Sequence, residues 1–247
     1  MEDSPDEDYE ELVAMYLRRS MKQSISLQTQ SSQGSSNRRK GSVRAHPAPS
    51  CLPYDHVKRA FDVVGASALG IMLMPVMASV AVSVRLTSPG PAIFRQRRLT
   101  AGGKEFMLCK FRTMRVDAER ESGAVVAQLH DTRVTRIGRL LRKTRLDELP
   151  QLWNVLRGDM SLIGPRPERP ELARNFERKI HGFGRRLGVK AGLTGLAQVI
   201  QGYPEYTDGY RQKLALDLLY IKKRSLMLDF WIAIKTVGVV VSGSGAR

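Results

Sequence analysis

The sequence predicts an α/β protein that is mostly helical, carries one small β-hairpin, and enters a membrane through a broken, re-entrant pair of helices. Three observations lead there. An apolar run, residues 63–84, lies between Asp62 and Arg85 and holds no charge across 22 positions, where about 20 suffice to cross a bilayer. Pro75 interrupts that run, and basic residues stand on both of its flanks. After it come two strand-like stretches around a glycine pair, then several segments of helical period with basic faces.

Residues 1–53 read as a disordered tail. "SISLQTQSSQGSSNRRKGS" has almost no large apolar residue, so it buries too little to offset its ordering entropy. Within the tail, "ELVAMYLRRS" has the composition of one short helix. The opening residues are acidic and the apolar run starts late, which does not fit a secretory signal. Residues 1–50 carry seven acidic and seven basic residues, so the whole formal charge of +16 falls in 51–247. A block that basic wants phosphate-bearing substrates, an anionic lipid surface or a polyanion. The only cysteines are Cys51 and Cys109, with no Cys/His cluster, which excludes a disulfide scaffold and a zinc site.

Residues 54–86 form the predicted membrane hairpin. Pro75 leaves 12 apolar residues before it and nine after it, each piece too short to span. Proline removes a helical hydrogen bond and clashes one turn back, at about 3 kcal/mol. Lys58 and Arg59 precede the run, and Arg85, Arg95, Arg97 and Arg98 follow it. Positive flanks favour the cytoplasmic side, and a helix that dips in and returns keeps both clusters there. A kinked spanning helix and a buried soluble helix are the competing readings.

Residues 87–247 form the remaining unit. "AIFRQRRL" and "EFMLCKFRTM" flank "TAGGK" as a hairpin. "RVTRIGRLLRKTR" is a helix with arginines on one face. "LDELPQLWNVL" is a second helix that begins near Asp147, because Pro150 fits only a first turn. "GDMSLIGPRPERPE" holds too much Gly and Pro for regular structure. "ELARNFERKI" and "YRQKLALDLLYIKKRS" are helical, and "VKAGLTGLAQVIQG" is a loop or strand. In "LMLDFWIAIKTVGVVVSGSG", Asp229 and Lys235 argue against a span, while Phe230 and Trp231 suit an interfacial helix, with a soluble core helix as the alternative.

The chemistry concentrates around Asp147 and Glu148. Adjacent carboxylates at a helix start, just after several arginines, suit a magnesium–diphosphate substrate: acids for Mg²⁺, arginines for phosphate oxygens. An acidic helix cap in ordinary salt bridges is the plainer alternative. Arg166 is fixed between Pro165 and Pro167 and pre-aimed for bidentate phosphate binding. Lys110 and Arg112 share one strand face by period two. "GLTG", with Gly192, Thr194 and Gly195, allows close approach to a nucleotide. The four histidines show no pairing, and neither a P-loop nor a dinucleotide fingerprint occurs.

Taken in order, "KRAFDVV", the proline-broken run, "SPGPAIFRQRRLTAGGKEFMLCKFRTM", "TRIGRLLRKTRLDELPQLWNVLRGDMSLIGPRPERPE", "KAGLTGLAQV" and "LALDLLYIKKRSLMLDFWIAIKTVGVVVSGSGA" resemble the bacterial sugar transferase family of monotopic phosphoglycosyl transferases. The resemblance covers 54–247. It implies a membrane hairpin at 54–86 and a catalytic domain at 87–247, on the cytoplasmic face of a bacterial inner membrane. It implies transfer of a sugar 1-phosphate from a UDP-sugar to undecaprenyl phosphate, with Mg²⁺, to start a polysaccharide. Asp147 would be the nucleophile and Glu148 the second acid of the dyad, both also metal ligands. Arg142 and Arg166 would bind phosphate, with Lys110, Arg112, Gly192, Thr194 and Gly195 as further substrate contacts. Pro75 would set the membrane break. The implied partners are the two substrates and membrane lipids, not nucleic acid; the oligomeric state stays open, a homodimer included. Three places depart from the family's pattern: Met74 stands where many members have serine before the proline, Ala191 stands where the family's proline precedes Gly-[IL]-Thr-Gly, and "QVIQG" stands where "QVNGR" is common. The rival reading is a basic membrane-surface or nucleic-acid-binding module without catalysis.

Overall fold

A computed structural model describes Met15 and residues 52–118, 131–201 and 207–242. The tail before Leu52 lies outside that range, apart from Met15, which is helical. The chain opens with helix α1 (Leu52–Met72), breaks at Leu73, and resumes as α2 (Met74–Thr87). The two axes differ by 62°. Pro75 lies in the first turn of α2, where a missing N–H costs nothing, and its ring excludes a continuous helix through Ile71. No single described helix is long and apolar enough to cross a membrane; only this bent pair passes that test together.

α1 is turned inside out relative to a soluble helix. Phe61, Val64, Ile71 and Met72 face outward, while Arg59 and Asp62 face the protein. Arg59 donates to the carbonyls of Val155 (2.7 Å) and Leu156 (2.8 Å). Buried Asp62 accepts from Ser161 Oγ (3.0 Å) and the Leu162 N–H (2.9 Å). α2 keeps Val82 and Leu86 outside and packs Val80 and Val84 against Phe111 and Leu141. An apolar outer face of this extent marks a lipid or protein contact surface.

β1 (Ile93–Leu99) and β2 (Glu105–Phe111) form the antiparallel hairpin, in a register that pairs Ile93 with Phe111 and Leu99 with Glu105. Gly102 and Gly103 take positive φ between them. Helix α3 (Arg136–Lys143) follows, then a 3₁₀ turn, Leu146–Glu148, and α4 (Gln151–Arg157). The Gly/Pro-rich stretch is not wholly irregular, because β3 (Met160–Ile163) lies in it and pairs in parallel with β4 (Ala191–Thr194). This second two-stranded sheet is absent from the sequence reading. Its four-residue strands are shorter than a period-2 pattern needs to declare itself. Helices α5 (Pro170–Lys179), α6 (Leu196–Ile200), α7 (Thr207–Lys223) and α8 (Leu226–Ser242) complete the order.

The largest core joins Leu216, Leu219 and Tyr220 of α7 to Leu228, Trp231 and Ile232 of α8. Trp231 therefore corrects the interfacial reading: it is 6% exposed, whereas Phe230 is 63% exposed. Neighbours on a helix point about 100° apart, so only one of the two can face out. Asp229 is also turned inward and accepts from Lys58 Nζ, Tyr54 Oη and Tyr220 Oη, each at 2.8 Å. That carboxylate ties α8 to α1. A second core sets Leu152 and Val155 of α4 against Ala66, Phe106 and Leu108. Asn154, fully buried, works as a substitute strand: it donates to the Met107 carbonyl (2.8 Å) and accepts from the Cys109 N–H (2.9 Å). It fixes β2 against α4, and so sets Lys110 beside the dyad.

Candidate active site

Thr135 caps α3, its Oγ1 accepting from the Gly138 N–H at 3.0 Å. A Cβ on Gly138 would lie 2.1 Å from the Thr113 carbonyl oxygen. Glycine lets α3 press against the end of the hairpin, and Arg142 Nε then donates to Thr113 Oγ1 at 3.0 Å. The chain reverses at Arg145, the only non-glycine with positive φ (56°) among the described residues. Such a residue costs of order 1–3 kcal/mol and tends to occur where function over-determines the backbone. Asp147 and Glu148 therefore sit in the 3₁₀ turn before α4, not in its first turn, because the helix starts only at Gln151 with Pro150 as its cap.

The two carboxylates differ in environment. Arg166 grips Glu148 with both arms, Nη1 to Oε2 at 3.2 Å and Nη2 to Oε1. Burial alone would raise the Glu148 pKa, but that guanidinium overrides it and holds the group below the usual range. Asp147 is 7% exposed, and its carboxylate accepts no hydrogen bond from the described residues. Burial, and then the Glu148 charge, push it up to about 6; Lys110, Arg142 and Arg166 restrain the rise. Adjacent acids whose environments push them apart define separate roles. Lys110 is lowered to about 8 by burial and by Arg98. Arg98, from β1, donates to the Pro167 carbonyl at 3.0 Å, and its Nε is buried without a partner among the described residues.

The arrangement brings together five of the residues predicted from sequence: Asp147, Glu148, Arg142, Arg166 and Lys110. It puts the others to different use. Arg112 lies past the end of β2, and its guanidinium donates to the carbonyls of Pro89 and Ser88, closing the C-terminal end of α2. Alternation along a strand cannot carry past the strand's last residue. Gly192 packs on the backbone of Gly164, which a Cβ would meet at 2.1 Å, and Gly195 does the same. Thr194 Oγ1 pairs with Thr236 Oγ1 at 2.8 Å. These three are joints of the β3–β4 pair. Sequence reasoning missed Arg98, Asn154 and the buried charges of α7. Lys213 and Asp217, one turn apart inside the apolar "KLALDLLYI", were the available signal for the last of these.

Among the described residues no group of three or more His, Cys, Asp or Glu side chains could cage a metal. Asp147 offers Mg²⁺ one carboxylate, enough for an ion that takes one or two and fills its sphere with substrate phosphates and water; Glu148 would share with the ion the oxygens that Arg166 holds.

Residues 53–243 match the bacterial sugar transferase family over their whole extent. The chain belongs to that family. It is 44% identical over 194 residues to a UDP-N-acetylgalactosamine-undecaprenyl-phosphate N-acetylgalactosaminephosphotransferase of Aeromonas hydrophila, covering 78% of this chain and 46% of the relative. It is 44% identical over 193 residues to a UDP-glucose:undecaprenyl-phosphate glucose-1-phosphate transferase of Caulobacter vibrioides, covering 76% and 71%. With an Escherichia coli protein named for that same UDP-glucose reaction it shares 40% over 183 residues, or 73% and 39%. The chain thus spans about half of the first relative and under half of the third. The matched range contains Asp147, Glu148, Arg142, Arg166 and Lys110.

Proposed function

We propose that this sugar transferase moves a sugar 1-phosphate from a UDP-sugar to undecaprenyl phosphate, working at the cytoplasmic face of a bacterial inner membrane to start a polysaccharide. One observation carries the reading: Asp147 lies in the field of Lys110, Arg142 and Arg166 and accepts no hydrogen bond from the described residues, while Arg166 holds both oxygens of Glu148. A carboxylate held in that state is poised as a nucleophile toward an anionic substrate.

The chemistry runs in two displacements. An Asp147 oxygen attacks the sugar-bearing phosphorus, the bond from that phosphorus to the bridging oxygen breaks, and UMP leaves with the electron pair. The phosphate oxygen of undecaprenyl phosphate then attacks the aspartyl phosphosugar and returns the carboxylate, giving the lipid diphosphate sugar. Lys110, Arg142 and Arg166 hold the phosphoryl oxygens and offset charge that develops on them. Mg²⁺, held by Asp147 and Glu148, would neutralise diphosphate charge. The bent α1–α2 pair enters the bilayer by its apolar outer face and returns, which leaves the dyad at the boundary where a soluble donor and a lipid headgroup meet. The relatives differ in the sugar they are named for, so the donor is given by class.

The test incubates the full chain with UDP-[³H]sugars and Mg²⁺ in the absence of lipid. A labelled adduct, lost in Asp147→Asn, is the expected result. Turnover with lipid but no adduct under single-turnover sampling would refute the two-step scheme.

A further inference from the structure

Five consecutive residues around Arg166 are pinned along the backbone, from β4, from β1 and from Arg186. The Gly164 N–H donates to the Thr194 carbonyl (2.8 Å), and the Pro165 carbonyl accepts from the Gly192 N–H (2.9 Å). The Arg166 carbonyl accepts from Arg186 Nη2 (2.8 Å), that of Pro167 from Arg98 Nη1 (3.0 Å), and that of Glu168 from the Leu99 N–H (3.0 Å). Prolines at 165 and 167 add fixed φ on either side of the arginine.

Behind this segment lies a buried set of four charges. Arg186, in the 3₁₀ segment Phe183–Gly188, donates through Nε (2.8 Å) and Nη2 (2.7 Å) to Asp217 Oδ2 and places Nη1 3.3 Å from Glu168 Oε1. Lys213 Nζ reaches that same Glu168 oxygen at 2.5 Å. All four side chains are buried. Lys213 and Asp217 share one face of α7, one turn apart.

We propose that Glu168, Arg186, Lys213 and Asp217 form a positioning device for Arg166, clamping the segment from Gly164 to Glu168 so that the Arg166 guanidinium meets Glu148 and, among the described residues, donates no hydrogen bond to Asp147. Energetics favour this over a stabilising role. Four buried charges bear a large desolvation cost, and an apolar set of equal volume often serves stability as well or better. What the charged set adds is direction. One guanidinium fork touches Asp217, Glu168 and the Arg166 carbonyl together, a geometry that a lysine point charge cannot copy. The residues are positioning groups: none of them touches Glu148 or Asp147 in the contacts described above.

The kinetic consequence rests on the transferase reading above, whereas the geometric one does not, and the experiment separates them. The full chain is purified in lipid nanodiscs as wild type, Arg186→Lys, Arg166→Ala and the double variant. Arg186→Lys should lower kcat about 10- to 100-fold, the effect of misplacing a positioned group by about 1 Å. In the Arg166→Ala background the same change should add less than about 2-fold, since residues acting through one another are not additive. Losses that multiply in the double variant overturn the proposal. The activity-independent arm is a thermal-melt cycle of Arg166→Ala and Glu148→Gln, run with Arg186 and again with Lys at that position. Coupling between Arg166 and Glu148 should be present in the first and lost in the second; equal coupling in both overturns the proposal, even in a protein that transfers no sugar phosphate. If Arg186→Lys does not fold, Asp217→Asn replaces it in both arms with the same expected results.

Discussion

Two buried clusters of charge sit side by side in this molecule and are built on opposite plans. Around Asp147 and Glu148, cations from three segments crowd two acids, and one acid has no hydrogen bond from the described residues. Around Glu168 and Asp217, two cations meet two acids, and each acid is held by hydrogen bonds or ion pairs at 3.3 Å or less. The balanced cluster completes itself and can only hold things in place. The other leaves one acid without such a contact among the described residues, as the proposed anionic substrate requires. The difference lets scaffold and site be told apart without reference to any ligand.

The largest effect that sharpens this contrast comes from Asp147→Asn. Sugar-phosphate transfer should fall by about 10⁴-fold or more, as for loss of a covalent nucleophile. Stability should move the other way. The folded pKa of Asp147, about 6, lies above its ordinary value of 3.8, so the native state binds this proton more tightly than the unfolded chain. Stability from this group therefore declines as pH rises from about 4 to about 6 and stays lower above that. Without divalent cations, the amide variant should melt higher than wild type at pH 7.5 and no higher at pH 4. A variant that melts lower at pH 7.5 would mean the carboxylate is satisfied after all.

The next effect tests the balanced cluster. Lys213→Met leaves two acids facing one arginine in the interior and should destabilise by about 3–5 kcal/mol, read as a lower midpoint in chemical denaturation. Adding Glu168→Leu restores neutrality and should recover most of that loss, but not the activity. Recovery of both would reduce the set to a stability element and erase the contrast drawn here.

The sequence carried one cluster far better than the other. Asp147, Glu148 and Arg142 lie within seven positions, so adjacency along the chain showed them. Arg166 was found through its two prolines. Lys110 reaches the dyad only because Asn154 ties β2 to α4, a contact 45 residues apart that no local pattern contains. The balanced cluster draws on Glu168, Arg186 and α7, and it appears only when three distant segments meet. Gly192 and Gly195 were legible as glycines that something approaches closely. That the backbone of Gly164 comes close to both is a fact of strand pairing. The break at Pro75 was readable because proline acts locally. The inward turn of Trp231 was not, since α8 is apolar on nearly every side.

Asn154 joins the two halves of the unbalanced cluster, and its removal should act at intermediate size. Asn154→Ala strands the Met107 carbonyl and the Cys109 N–H, at about 1–3 kcal/mol. It should also raise KM for the donor, because Lys110 loses its register against the dyad. A drop in stability with unchanged KM would show that Lys110 is placed by the hairpin alone.

The smallest effect belongs to Pro75, and its size follows from weighing two terms. Pro75→Ala removes the ring clash and restores a donor, which favours a straight helix by about 3 kcal/mol. Straightening would draw Val80 and Val84 of α2 away from Phe111 and Leu141. Uncovering Phe111 and Leu141 to water costs about 3–6 kcal/mol. The bend should therefore survive, with transfer changed less than about 3-fold. Single cysteines at positions 53 and 95, in a chain freed of Cys51 and Cys109, should still label from one side of sealed vesicles. Labelling from opposite sides in Pro75→Ala alone would make the proline, not the packing of α2, the determinant of re-entry. Labelling from opposite sides in the parent chain would make the pair a kinked span and would remove α2 from the face that carries Asp147.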